Sequence, residues 1–104
     1  MILVFANDLM DRSKICAAVS SVEFRREVVE SDQPSAVVVD LARFADSVAS
    51  IRDVWPAARI ICFSPHANTN SMTKAADDGA DVVLPRSKFF RDPAAAIGIK
   101  PTAT

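Results

Sequence analysis

Apolar residues along this chain follow two patterns. Ile2-Leu3-Val4-Phe5, Ala36-Val37-Val38-Val39 and Arg59-Ile60-Ile61-Cys62-Phe63 place apolar side chains on nearly consecutive positions, as strands covered on both faces require. Val82-Val83-Leu84 is a shorter run of the same kind. Val22-Glu23-Phe24-Arg25-Arg26 alternates instead, which predicts an edge strand with one wetter face.

Between these runs the spacing turns helical. Phe44, Val48, Ile51 and Trp55 fall at i, i+4, i+7 and i+11, the stripe of a one-faced helix that Pro56 ends. Met72, Ala75, Ala76 and Gly79 make a second stripe, with Asn70 or Ser71 as N-cap and Gly79 as C-cap. Leu9, Cys16 and Val19, with Ile15 beside them, predict a first helix over Asp8 to Ser20. Asp92-Pro93 ahead of Ala94-Ala95-Ala96 supplies a capping residue and an N1 proline for a short last helix. Strands alternating with helices indicate a parallel sheet with crossover helices. The second and third strands are too close in sequence for a full crossover, so the second helix is expected to be stunted or absent. Ser20-Ser21-Val22-Glu23 also fits a capping box opening a helix through Arg25, Arg26 and Val29; the strand is the reading adopted. One domain over 1–98 and a frayed tail over 99–104 are expected.

Composition narrows the classes of function. The 104 residues suffice for one hydrophobic core. Twelve basic residues against thirteen acidic ones leave a formal charge of -1, so no broad electrostatic footprint for nucleic acid or an anionic membrane is expected. No apolar run approaches the roughly 18 residues of a membrane span, and Met1 leads into Ile2 with no basic leader, so a cytoplasmic protein is expected. Cys16 and Cys62 lie in apolar patterns and are expected to be small buried hydrophobes. With a single histidine there is no zinc cluster.

In open α/β sheets functional groups gather beyond the carboxyl ends of the strands. Those ends hold Ala6, Asn7 and Asp8, then Asp40, then Ser64, Pro65 and His66, then Pro85, Arg86 and Ser87. Only Gly79 and Gly98 are present and neither follows the first strand, so a nucleotide-cradling loop is not expected. No catalytic dyad or triad stands out, and no enzymatic activity is expected.

Asp40 in Val37-Val38-Val39-Asp40-Leu41, Ser64 after Ile60-Ile61-Cys62-Phe63, and Gly79-Ala80-Asp81 leading into the last strand resemble, in that order, bacterial response regulator receiver domains. The resemblance covers nearly the whole chain. It implies an α/β, flavodoxin-like three-layer fold with a five-stranded parallel sheet ordered 2-1-3-4-5, here with a reduced second helix and a short last one. It also implies roles. An aspartate at Asp40 accepts a phosphoryl group from a histidine kinase, a neighbouring acidic pair holds Mg²⁺, Ser64 binds a phosphoryl oxygen, and a lysine on the last strand completes the ion pairing. A closer likeness joins Phe63-Ser64-Pro65-His66, Leu84-Pro85-Arg86-Ser87-Lys88-Phe89 and Asp8-Leu9-Met10 to small stand-alone receiver-like proteins of bacteria.

Two departures from the receiver pattern matter. Ala6 and Asn7 stand where the acidic pair belongs, and a shift of one residue recovers only Asp8 as a candidate metal ligand. Mg²⁺ is therefore the one cofactor in question, and its site is expected to be weak. Arg86 stands at the lysine position, and a planar fork does not reproduce the contacts of a compact ammonium. Arg86 and Ser64 remain candidates for holding an anion, with Asn7 and His66 completing the rim. The expected function is a pseudo-receiver, a signalling module that binds a protein partner or itself. The alternative keeps Asp40 as an active phosphoacceptor. Two adjacent phenylalanines in a short segment do not easily both point inward, so Phe89, Phe90 and Ile97 are expected to form an apolar patch for self-association as a dimer.

Overall fold

The computed structural model describes residues 1–65 and 69–98. His66 and the expected frayed tail therefore lie outside the described residues. The five strands are β1 (Ile2–Phe5), β2 (Val22–Phe24), β3 (Ala36–Asp40), β4 (Arg59–Ser64) and β5 (Val82–Pro85). They form one sheet ordered β2-β1-β3-β4-β5, with every neighbouring pair parallel. Strand order reverses between β1 and β3, which sets a crevice beyond Phe5 and Asp40.

Side-chain alternation divides the core between two faces. Leu3, Phe5, Val37, Val39, Ile60 and Cys62 pack with Phe44, Val48, Ile51, Trp55 and Ala75. Val4, Val38, Ile61 and Phe63 pack on the other side with Ile15, Val19, Phe89 and Ile97. The expected stripe of Phe44, Val48, Ile51 and Trp55 is buried throughout, but its helix is broken. It runs as α2 (Leu41–Phe44), a 3₁₀ turn (Ala45–Ser47) and α3 (Val48–Val54). It starts early because the Asp40 carboxylate accepts the Ala42 amide at 3.0 Å and so caps α2.

No helix joins β2 to β3 among the described residues. The connection is pinned instead: Arg25 forks onto the Asp32 carboxylate at 3.0 and 3.2 Å, and the Trp55 indole donates to the Asp32 carbonyl at 2.9 Å. These bonds satisfy a segment that has no ladder of its own.

Helix α1 (Leu9–Ala18) turns differently from expectation. Asp11, Ile15 and Val19 face inward at i, i+4 and i+8, while Leu9 is 77% exposed and Cys16 is exposed. A polar residue holds the first inward position, and that shifted the apolar reading of the stripe. Helix α4 (Thr69–Asp77) is followed by Gly79 at φ +116°. A Cβ at Gly79 would sit 2.7 Å from Arg52 Cγ, and the Arg52 guanidinium donates to the Gly79 carbonyl and to Asp81.

After β5 the chain forms two short helices, α5 (Arg86–Arg91) and α6 (Pro93–Ile97), rather than one. Asp92 caps α6 by accepting the Ala95 amide at 3.2 Å, with Pro93 in the first turn. The extra helix corrects the expected dimer patch. Phe89 and Ile97 are buried in the core and only Phe90 is left half-buried. Two short helices separated at Asp92 let both apolar anchors reach the core cluster.

Candidate functional site

The rim beyond β1 and β3 carries a cavity of about 260 Å³ lined by Asn7, Asp8, Asp11, Asp40, Ala42, Arg43 and Arg86. Asp40 ends β3 and is 5% exposed. Burial raises its carboxyl above the ordinary aspartate value; the Ala42 amide opposes that shift, Asp11 adds to it, and Arg86 and Arg43 oppose it more weakly. Asp8 precedes α1 and accepts the Asp11 amide at 3.0 Å, so the candidate metal ligand serves as a helix cap.

Asp11 is the residue that the sequence reading missed. It is 1% exposed, and both of its oxygens accept from the Arg86 guanidinium, Nη1 at 2.8 Å and Nη2 on the other oxygen. A buried carboxylate needs such a partner, since removing either member would strand a charge. The signal was present in the sequence: Asp11 stands four residues before Ile15 and eight before Val19, on the stripe that faces the sheet. Arg86 reaches it from the first turn of α5, directly after Pro85. Its guanidinium carbon lies 4.9 Å from the Phe90 ring centroid and 5.7 Å from that of Phe63. The bond to Asp11 raises the affinity of Arg86 for its proton, against the cost of burial, and the charges of Asp11, Asp40 and Asp8 support it.

The structure thus brings Asn7, Asp8, Asp40 and Arg86 together. Ser64 is on the same edge but does not line the cavity. It pairs across the sheet with Pro85, is 0% exposed, and its hydroxyl has no hydrogen-bond partner among the described residues.

A divalent cation suits this donor set poorly. Such an ion wants several free oxygens, whereas both Asp11 oxygens are taken by Arg86, one oxygen each of Asp8 and Asp40 accepts a capping amide, and Asn7 is neutral. Among the described residues no group of three His, Cys, Asp or Glu side chains is placed to hold a metal ion. What the pocket offers is an arginine fork, already engaged, beside a buried carboxylate raised above the ordinary aspartate value.

No protein-family model matches the chain, and no curated protein matches it in sequence. Solved structures do. A response regulator from Burkholderia pseudomallei, whose crystal structure has a phosphorylated aspartic acid, a calcium ion and citrate, aligns at a TM-score of 0.80 with 19% identity. That alignment covers 92% of this chain and 65% of the Burkholderia one, so this chain spans just under two thirds of that protein's length. The phosphorylated cyanobacterial phytochrome response regulator RcpA aligns at 0.75 with 16% identity, over 99% of this chain and 95% of its own. A CheY-like response regulator from Mesorhizobium loti aligns at 0.65 with 14% identity, over 92% and 93%. With sheet order, crevice and alignments in agreement, the chain has the flavodoxin-like fold of response regulator receiver domains.

Proposed function

We propose that this chain is a receiver-like signalling module that works through a protein partner, with a degenerate phosphorylation site. The observation that carries this reading is the fork of Arg86 on Asp11. Phosphoryl transfer relies on divalent charge to neutralise the transferring oxygens, and here Ala6 and Asn7 stand where the acidic pair belongs while the buried carboxylate of the cavity, Asp11, is paired with an arginine. Burial also raises the carboxyl of Asp40 above the ordinary aspartate value. The surface beside the pocket suits a partner: Leu9 and Met10, between Asp8 and Asp11, are 77% and 67% exposed.

The test is covalent. Incubation with Mg²⁺ and acetyl phosphate, followed by intact mass spectrometry, is expected to return the unmodified mass. A stoichiometric phosphoryl adduct that disappears in Asp40→Asn would overturn the reading and make Asp40 a working phosphoacceptor.

A further inference from the structure

We propose that a second copy of this chain docks head to tail on the first, the basic layer of α1 and α5 seating on the acidic layer of α3 and α4. The proposal rests on the reading of a module that works through a protein partner, and it names that partner.

Charge is divided between the two sides of the sheet. On the side of α1, α5 and α6, Lys14, Lys88 and Arg91 are exposed, while the acids are engaged: Asp11 is buried against Arg86, and Asp8 and Asp92 cap helices. On the side of α3 and α4 the balance reverses. Arg52 and Lys74 are paired with Asp81 and Asp78, whereas Asp53 and Asp77 are exposed and make no ion pair among the described residues. The formal charge of -1 conceals this separation.

Shape follows the same division. Leu9 and Met10 project from α1 at 77% and 67% exposure, and the exposed Ser13 and Ala17 leave the outer side of that helix without charge. A flexible methionine beside a leucine suits an adaptable contact. The exposed uncharged positions of α3 and α4 are small instead: Ala49, Ser50, Thr73 and Ala76. Large side chains on one layer therefore meet small ones on the other, with lysines and arginine rimming the first and carboxylates the second.

Topology decides the symmetry. The helices α1, α5 and α6 pack on one face of the sheet and α3 and α4 on the opposite one. A copy whose basic layer is occupied thus still presents its acidic layer, which is a heterologous contact that builds open chains. A twofold pairing of two basic layers would set Lys88 and Arg91 against like charges. Two short helices on each side make a small interface of the transient class.

Sedimentation of the whole chain at low ionic strength is expected to show a weight-average mass that climbs above the 11.2 kDa monomer with concentration and has no plateau at two copies. Raising salt from about 50 mM to about 500 mM is expected to weaken the association about ten-fold, the scale of a few exposed ion pairs. Lys14→Glu combined with Lys88→Glu is expected to stay monomeric, as is Asp53→Lys combined with Asp77→Lys. An equimolar mixture of the two is expected to associate again, since each reversed layer then meets its opposite. Far-UV circular dichroism checks that each variant is folded; should either pair unfold, the single changes Lys88→Glu and Asp77→Lys carry the same expectation. A monomer mass at every concentration up to about 1 mM, a plateau at two copies, or a mixture that stays monomeric would each overturn the proposal. So would capture of a monomeric chain by phosphatidylserine vesicles, which would reassign the basic layer to a lipid surface. The acetyl phosphate test reads Asp40 alone, so its outcome and this one are independent.

Discussion

Phe63 and Phe89 stack with ring centroids 4.9 Å apart and planes 22° from parallel, and Phe90 closes on both rings edge-on at 5.1 and 4.9 Å. This triangle joins β4 to α5 and gives the two neighbouring phenylalanines unequal roles. Phe89 is fully buried, while Phe90 is half-buried with the Arg86 and Lys14 cations over its ring. Phe89→Ala is expected to cost about 3–5 kcal/mol, the usual range for emptying a buried aromatic site. Phe90→Ala should cost clearly less. Urea denaturation of both variants checks the order, and a larger loss for Phe90→Ala would contradict the core assignment of Phe89.

The two cysteines differ as sharply. Cys62 is 0% exposed in β4, and burial, helped by the charge of Asp81, pushes its thiol up to about 12. Cys16 is exposed on α1. Under native conditions near neutral pH an alkylating reagent is therefore expected to modify one thiol per chain quickly, and both only after denaturation. Peptide mapping that finds Cys62 modified at the rate of Cys16 would show that β4 opens far more readily than its burial implies.

The sheet was legible in the sequence because central parallel strands need apolar side chains on both faces, and β1, β3 and β4 wrote that as continuous runs. Asp40 and Arg86 were legible as rim residues for a topological reason, since each follows or ends such a run. The inward place of Asp11 was readable from its spacing to Ile15 and Val19, but its role was not, because that depends on a partner 75 residues away that no local pattern announces. The same blindness to pairing placed Cys16 and Leu9 indoors: a helix whose inward stripe begins with a carboxylate looks, by apolar spacing alone, rotated about its axis. Helix α5 was missed because six residues of Arg86–Arg91 are too few to show a period. The patch of Phe89 and Ile97 dissolved because α5 and α6 each place one of them in the core cluster with Ile61 and Phe63 of β4.

Asp40 sets the pH dependence of stability at the site. Its carboxyl is raised above the ordinary aspartate value of 3.8, chiefly by burial, so the folded chain holds that proton more tightly than the unfolded chain does. Between the two values the native state binds more protons, and stability from this group falls as pH rises. The contribution is fully present below the unfolded value and is lost as pH passes the raised folded value. The groups that modulate it are Asp11, which strengthens the shift, and the Ala42 amide, Arg86 and Arg43, which oppose it. Asp40→Asn keeps an oxygen to cap the Ala42 amide and removes the titration. Its stability relative to the unaltered chain is therefore expected to increase with pH across that window and level off above it. Paired urea melts from about pH 3 to pH 8 measure that difference, with contributions from distant groups cancelling between the two chains. A difference that stays flat, or that favours the unaltered chain increasingly as pH rises, would mean that Asp40 is ionised at little cost in the folded pocket.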